Sequence, residues 1–146
     1  MPLKVLIDTS VLVAAVQESH PHHQRAQDYL QRVRSGEIKA FVSAHTLAEF
    51  YSTLTRMPPP YRLTPEQVWQ IIKDDLLPLA AVIVLSADDY LALLQHLSQS
   101  GLAGGITYDA VIIWAALQAE VDQVVTLNVK HFKRIHPTAA VQIIAP

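Results

Sequence analysis

The chain has 146 residues, 51% of them hydrophobic and 16% charged, with 11 Lys and Arg against 13 Asp and Glu, and no cysteine. Soluble domains average roughly 25% charged residues, so this chain is charge-poor and core-rich, which excludes intrinsic disorder. A net charge of −2 excludes a general basic coat for nucleic acid, and the lack of cysteine excludes disulfides, zinc thiolate sites and thiol catalysis.

Leu3 to Ile7 reads as a short buried strand, closed by Asp8-Thr9-Ser10, three good helix N-cap types, ahead of an apolar helical run to Val16. Ser19 to His23 is a turn, with Pro21 suited to the first position of a second helix that Gly36 stops. Lys39 to Val42 is a second strand, and Ser43 caps a helix that Pro58-Pro59-Pro60 must break. Thr64-Pro65-Glu66-Gln67 is a capping box opening a helix to about Leu76, whose Val68, Trp69, Ile71 and Ile72 form an apolar stripe for core or subunit contact. Ala81 to Leu85 is a third strand. Ser86 opens the next helix and Gly101 ends it. Thr107 caps an almost wholly apolar helix to about Glu120, Gln123 to Leu127 is a fourth strand, and Val141 to Ile144 a fifth.

Helices alternate with continuous apolar strands, which predicts a three-layer α/β/α fold with a central, mostly parallel sheet of about five strands. One domain spanning 1–146 is expected, without repeats or linkers. The longest apolar stretch, Ala110 to Leu117, falls short of the roughly 20 residues that cross a bilayer, and no targeting segment is visible. The expectation is a soluble, cytoplasmic protein with no membrane partner.

Most acidic residues sit in first helical turns or polar surroundings. Asp8, Glu49 and Asp109 instead have apolar or small neighbours, and a buried unpaired carboxylate needs a proton, a cation or hydrogen bonds. Asp8 lies at the carboxyl end of the first strand and Asp109 in the first turn of a helix, and ligands of open parallel sheets gather at that edge. Thr126 and Asn128 arrive there from the fourth strand. Carboxylates sharing a cleft call for a hard divalent cation such as Mg²⁺ or Mn²⁺. Each residue also has a plainer reading: Asp8 as an N-cap, Asp109 as a dipole partner, Glu49 as an exposed helix former, Thr126 and Asn128 as turn residues.

Taken in order, Ile7-Asp8-Thr9-Ser10, Ala48-Glu49-Phe50, Tyr108-Asp109-Ala110 and Thr126-Leu127-Asn128-Val129-Lys130-His131-Phe132 resemble a PIN domain, and within that group the VapC-type toxins of toxin–antitoxin pairs. The resemblance runs from Lys4 to about Ile144 and implies a Mg²⁺- or Mn²⁺-dependent ribonuclease, in which metal-activated water attacks an RNA phosphodiester. It implies that Asp8, Glu49 and Asp109 hold metal, that Asn128 completes the catalytic set where many members have Asp, and that Ser10 and Thr126 support the carboxylates. Asn128 brings no charge, which favours a one-metal resting state. An RNA substrate, a cognate antitoxin and a homodimer are the partners it implies.

Rival readings remain at this point: a catalytically weak or inactive PIN-fold binding module, a phosphatase, or a receiver-type signalling domain. Ser10 stands where a haloacid-dehalogenase phosphatase needs its second Asp, and a receiver domain's acidic pair and late lysine are unconvincing. Ser19-His20-Pro21-His22-His23 is dense enough in histidine for a zinc or nickel site but lacks a spaced partner, so a polar turn is the plainer expectation. His45 lies one turn before Glu49 and could share its face. His131 reads as a surface histidine. Arg56, Arg62, Lys130, Lys133 and Arg134 are the basic residues best placed by sequence to meet phosphate near the motifs, with a solvated surface charge as the plainer reading of each.

Overall fold

Five strands pair side by side in the order β3-β2-β1-β4-β5, every pair parallel. The computed structural model describes residues 1–135 and 141–146. In chain order the elements are β1 (Leu3–Ile7), α1 (Thr9–Val16), α2 (His23–Arg34), β2 (Ile38–Ser43), α3 (Ala44–Thr55) and α4 (Pro65–Ile71). A π-helical turn (Ile72–Leu76), α5 (Leu77–Leu79), β3 (Ala80–Ile83), α6 (Ala87–Ser100), α7 (Ile106–Gln118), β4 (Gln123–Val125), α8 (Val129–Ile135) and β5 (Gln142–Ile144) complete it.

Each strand is apolar on both faces because each face carries a separate core. Val5 and Ile7 of β1, Ala40 and Val42 of β2 and Val125 of β4 pack with the buried residues of α1 to α4. Leu6, Phe41 and Val124, their neighbours in sequence, point the other way into α6, α7 and α8 around Leu93, Ile112 and Phe132. The layering α/β/α follows, as a parallel sheet buried on both sides requires.

Local chemistry fixes most boundaries. Ser43 accepts the Thr46 N–H at the start of α3, and capping boxes at Thr64/Gln67 and Ser86/Asp89 open α4 and α6. Gly101 ends α6 at φ 68°, a left-handed conformation that costs glycine little, with the Leu102 N–H returning to the Leu97 carbonyl.

The expected central, mostly parallel sheet of about five strands is present, and every pairing in it is parallel. Several local expectations need correction. The helix expected from Thr64 to Leu76 changes to π geometry at Ile72, where Asp74 and Asp75 are exposed while Ile72 and Leu76 stay buried. Its stripe is divided: Val68 and Ile72 are buried, but Trp69 is 52% exposed. Pro21 does not open α2; it sits in a turn closed by the His23 N–H on the His20 carbonyl, and the helix begins at His23. Thr107 does not cap α7. The helix starts two residues earlier, from Gly105 in helical conformation, and the Thr107 hydroxyl donates to the Gly104 carbonyl at 2.7 Å. The fourth strand stops at Val125: the Thr126 N–H still donates to the Ile144 carbonyl, but beyond it Leu127 donates to Ser10 Oγ and Asn128 to Thr126 Oγ1.

Candidate active site

The chain runs outward from β1 through β2 to β3, then resumes on the other side of β1 with β4 and β5. The switch in direction opens a crevice at the carboxyl ends of β1 and β4, the place where open α/β sheets bind ligands. A cleft of about 460 Å³ lies there. Asp8, Glu49, Asp109 and Asn128 all line it, so four residues separated by as much as 120 positions meet at one surface.

Asp8 occupies the N-cap position of α1, and the short hydrogen bonds of its side chain go to hydroxyls. Oδ2 accepts the Ser10 hydroxyl at 2.6 Å and the Thr126 hydroxyl at 2.8 Å. Those hydroxyls are themselves oriented, because Ser10 Oγ accepts the Leu127 N–H at 3.1 Å and Thr126 Oγ1 accepts the Asn128 N–H at 3.0 Å. Two strand ends thereby steer their dipoles onto one buried carboxylate, which is only 4% exposed. Burial still pushes the Asp8 carboxyl above its ordinary range; the two hydroxyls pull it back, and Glu49 adds repulsion.

Glu49 reaches the cleft from α3. Its Oε1 accepts the Thr9 hydroxyl at 2.8 Å, and His45 Nε2 stands 3.4 Å from the same oxygen, one helical turn away. The His45 ring stacks on Tyr108 at 5.1 Å and 3° between planes. Asp109 lies in the first turn of α7. Its carboxyl is pushed up to about 6, mainly by burial and then by the charges of Asp8 and Glu49, with His131 and His45 opposing. Mutual repulsion among the three acids is thus a property of this geometry. Asn128 is exposed at the mouth.

No Lys or Arg lines the cleft, and none pairs with these acids among the described residues. Carboxylate oxygens without a cationic partner suit a hard divalent ion. Among the described residues no three His, Asp or Glu side chains converge tightly enough to cage one. An ion held there would have to keep part of its water shell, as Mg²⁺ commonly does.

The PIN domain family model matches residues 5–136. The chain belongs to the PIN domain family. This PIN domain is similar to ribonuclease VapC40 of Mycobacterium tuberculosis, 37% identical over 112 residues that cover 77% of this chain and 78% of that protein. Ribonuclease VapC27 of the same organism is 30% identical over 112 residues, 77% of this chain and 76% of the relative. Its fold resembles the crystal structure of VapBC2 from Rickettsia felis bound to a DNA fragment from their promoter, with a TM-score of 0.68, 23% identity and 99% of each chain covered.

All six residues singled out from sequence, Asp8, Ser10, Glu49, Asp109, Thr126 and Asn128, meet at this edge, and Asp8, though at the N-cap of α1, is held chiefly by the Ser10 and Thr126 hydroxyls. His45 does share the Glu49 face. Sequence reading missed Thr9, whose hydroxyl holds Glu49, and Thr53, which lines the cleft. It also left His20 and His22 in a bland turn, whereas both line the cleft. Arg56, Arg62, Lys130, Lys133 and Arg134 are exposed and stay outside its lining.

Proposed function

We propose that this PIN domain is a divalent-metal-dependent endoribonuclease acting as the toxin of a toxin–antitoxin pair. The observation that carries the reading is the convergence of Asp8, Glu49 and Asp109 on one cleft that, among the described residues, has no lysine or arginine in its wall. The names of the ribonuclease relatives support the substrate class.

In this reading Asp8, Asp109 and Glu49 hold Mg²⁺ or Mn²⁺, and Asn128 offers a neutral oxygen at the mouth. When bound, the ion supplies Lewis acidity, neutralising an RNA phosphodiester and strengthening a water as nucleophile. The protein's part is positional. Ser10 and Thr126 fix the Asp8 carboxylate, and Thr9 fixes that of Glu49, so neither must reorganise as charge develops. A raised Asp109 proton affinity means that metal and proton compete for this group.

The acidic cleft also suits a basic segment of a cognate antitoxin, which would occupy it without metal and silence the enzyme. A homodimer is part of the same reading. The test is cleavage of varied RNAs by antitoxin-free protein with and without Mn²⁺. Metal-stimulated cleavage, abolished in Asp8→Asn and Asp109→Asn, is the expected result; no cleavage of any RNA under those conditions refutes it.

A further inference from the structure

The cleft wall is dominated by acceptors, yet RNA presents mainly acceptors along its backbone. Besides hydroxyls and the Asn128 amide, the side chains with N–H groups that line it are those of His20 and His22. Both come from the turn between α1 and α2.

The turn orients the two rings. The backbone N–H of His22 donates to His20 Nδ1 at 3.0 Å. That nitrogen is therefore an acceptor, and the proton of the ring sits on Nε2. Arg25 Nη1 stands 3.4 Å from His22 Nδ1, and a guanidinium only donates, so this contact leaves His22 Nε2 as the nitrogen turned away from the protein. The ring centroids are 5.7 Å apart. Neither Nε2 has a protein partner, and neither is a buried orphan, among the described residues. Burial, with His22 and His23 nearby, holds His20 below the usual histidine range, which agrees with a neutral ring.

We propose that His20 and His22 form a phosphate-binding subsite, donating their Nε2–H groups to non-bridging oxygens of an RNA strand lying across the cleft. The inference rests on the ribonuclease reading above and names the groups that hold its substrate. Uncharged donors suit this position for a physical reason. A lysine or arginine here would pair with Asp8, Glu49 or Asp109 and compete with the divalent ion, whereas a neutral imidazole leaves the carboxylates free. The same tautomer argues against a transition-metal site at the turn, because a ligating Nε2 must lose its proton and Nδ1 would then carry it against the His22 N–H.

The test uses the full chain and a single-stranded RNA with 2′-O-methyl riboses, which binds without being cleaved, followed by fluorescence anisotropy without metal and with Mg²⁺. Each N–H bond to a charged oxygen is worth about tenfold in affinity, so His20→Ala/His22→Ala should bind roughly 100-fold more weakly. His20→Gln/His22→Gln, which keeps an N–H donor at similar reach, should recover most of the loss. On cleavable RNA the alanine pair should raise KM far more than it lowers kcat. Thermal unfolding identical to that of the unsubstituted protein confirms that both variants are folded. Unchanged RNA affinity in the alanine pair overturns the subsite while leaving the ribonuclease reading intact. Equal loss in the glutamine pair overturns the donor role, as does tight Zn²⁺ uptake that the alanine pair abolishes. Failure of the unsubstituted protein to bind or cleave any RNA overturns both readings.

Discussion

The acidic cluster should cost the protein stability whenever no cation is bound, and Asp109→Asn measures that cost. Folding raises the Asp109 carboxyl from an ordinary value near 3.8 to about 6, through burial and the charges of Asp8 and Glu49. Between those values the folded protein binds a proton more readily than the unfolded chain, so its stability falls as pH rises through the window. The shift is about two units, nominally under 3 kcal/mol at 1.36 kcal/mol per unit. Asp109 is only about half buried, and solvent screening reduces this to roughly 1–1.5 kcal/mol. In EDTA, Asp109→Asn should therefore be the more stable protein at pH 7.5, by roughly 3–5 °C in Tm for a domain of this size. The gap should close near pH 4, where the native carboxyl is protonated. Adding Mg²⁺ or Mn²⁺ at pH 7.5 should stabilise the unsubstituted protein and leave Asp109→Asn nearly unmoved. Thermal unfolding from pH 4 to 8, with EDTA or metal, gives all four values. An Asp109→Asn protein that is less stable in EDTA at pH 7.5, or a gap that does not change with pH, refutes the reasoning.

Thr126 is fully buried and serves both Asp8 and the Asn128 N–H. Thr126→Val should cost about 1.5–3 kcal/mol in urea unfolding, because it leaves a buried charge short of one donor, while Thr126→Ser retains the hydroxyl and should lose only about 1 kcal/mol. Phe50, 2% exposed, fills the core on the α1 to α4 face; Phe50→Ala should cost about 3–5 kcal/mol, against less than about 0.5 kcal/mol for Leu91→Ala at a position 65% exposed.

Apolar runs made the strands legible from sequence, and the helices between them made the sheet parallel. What the runs did not reveal is which of the two cores each residue enters: Val5 and Val125 serve one, Leu6 and Val124 the other. A run apolar at every position carries no alternation to read. The carboxylates were legible because each broke its local pattern and the topology brought strand ends together. Thr9 was hidden because it looked like a cap candidate among three, and only the approach of α3 shows it holding Glu49. His20 and His22 were hidden for a different reason. Nothing within the turn indicates a distant partner; the link to the cleft exists only once α1 has been traversed and β4 has been laid beside β1. The π turn at Ile72–Leu76 lies in a stretch of ordinary helix formers, and we find no sequence signal for it.

The helix openings differ in how they are capped. At α3, α4 and α6 a Ser or Thr side chain accepts a first-turn N–H, as helix ends ordinarily demand. At α1, α2 and α7 no side-chain cap bond is made. These three openings supply Asp8, His22 and Asp109 to the cleft. At α1 the departure is sharpest, because Asp8 is among the best cap residues and sits at the cap position, yet its Oδ2 is turned to Ser10 and Thr126. At α7 a threonine is present and is turned to Gly104 instead. A missing cap costs about 1 kcal/mol. Three helix openings without a side-chain cap bond thus contribute residues to one cleft, while the capped start of α3 joins the same network through Thr46 and Thr9. Asp8 sits at the cap position with its Oδ2 held by two hydroxyls, which keeps the carboxylate oriented toward whatever enters the cleft.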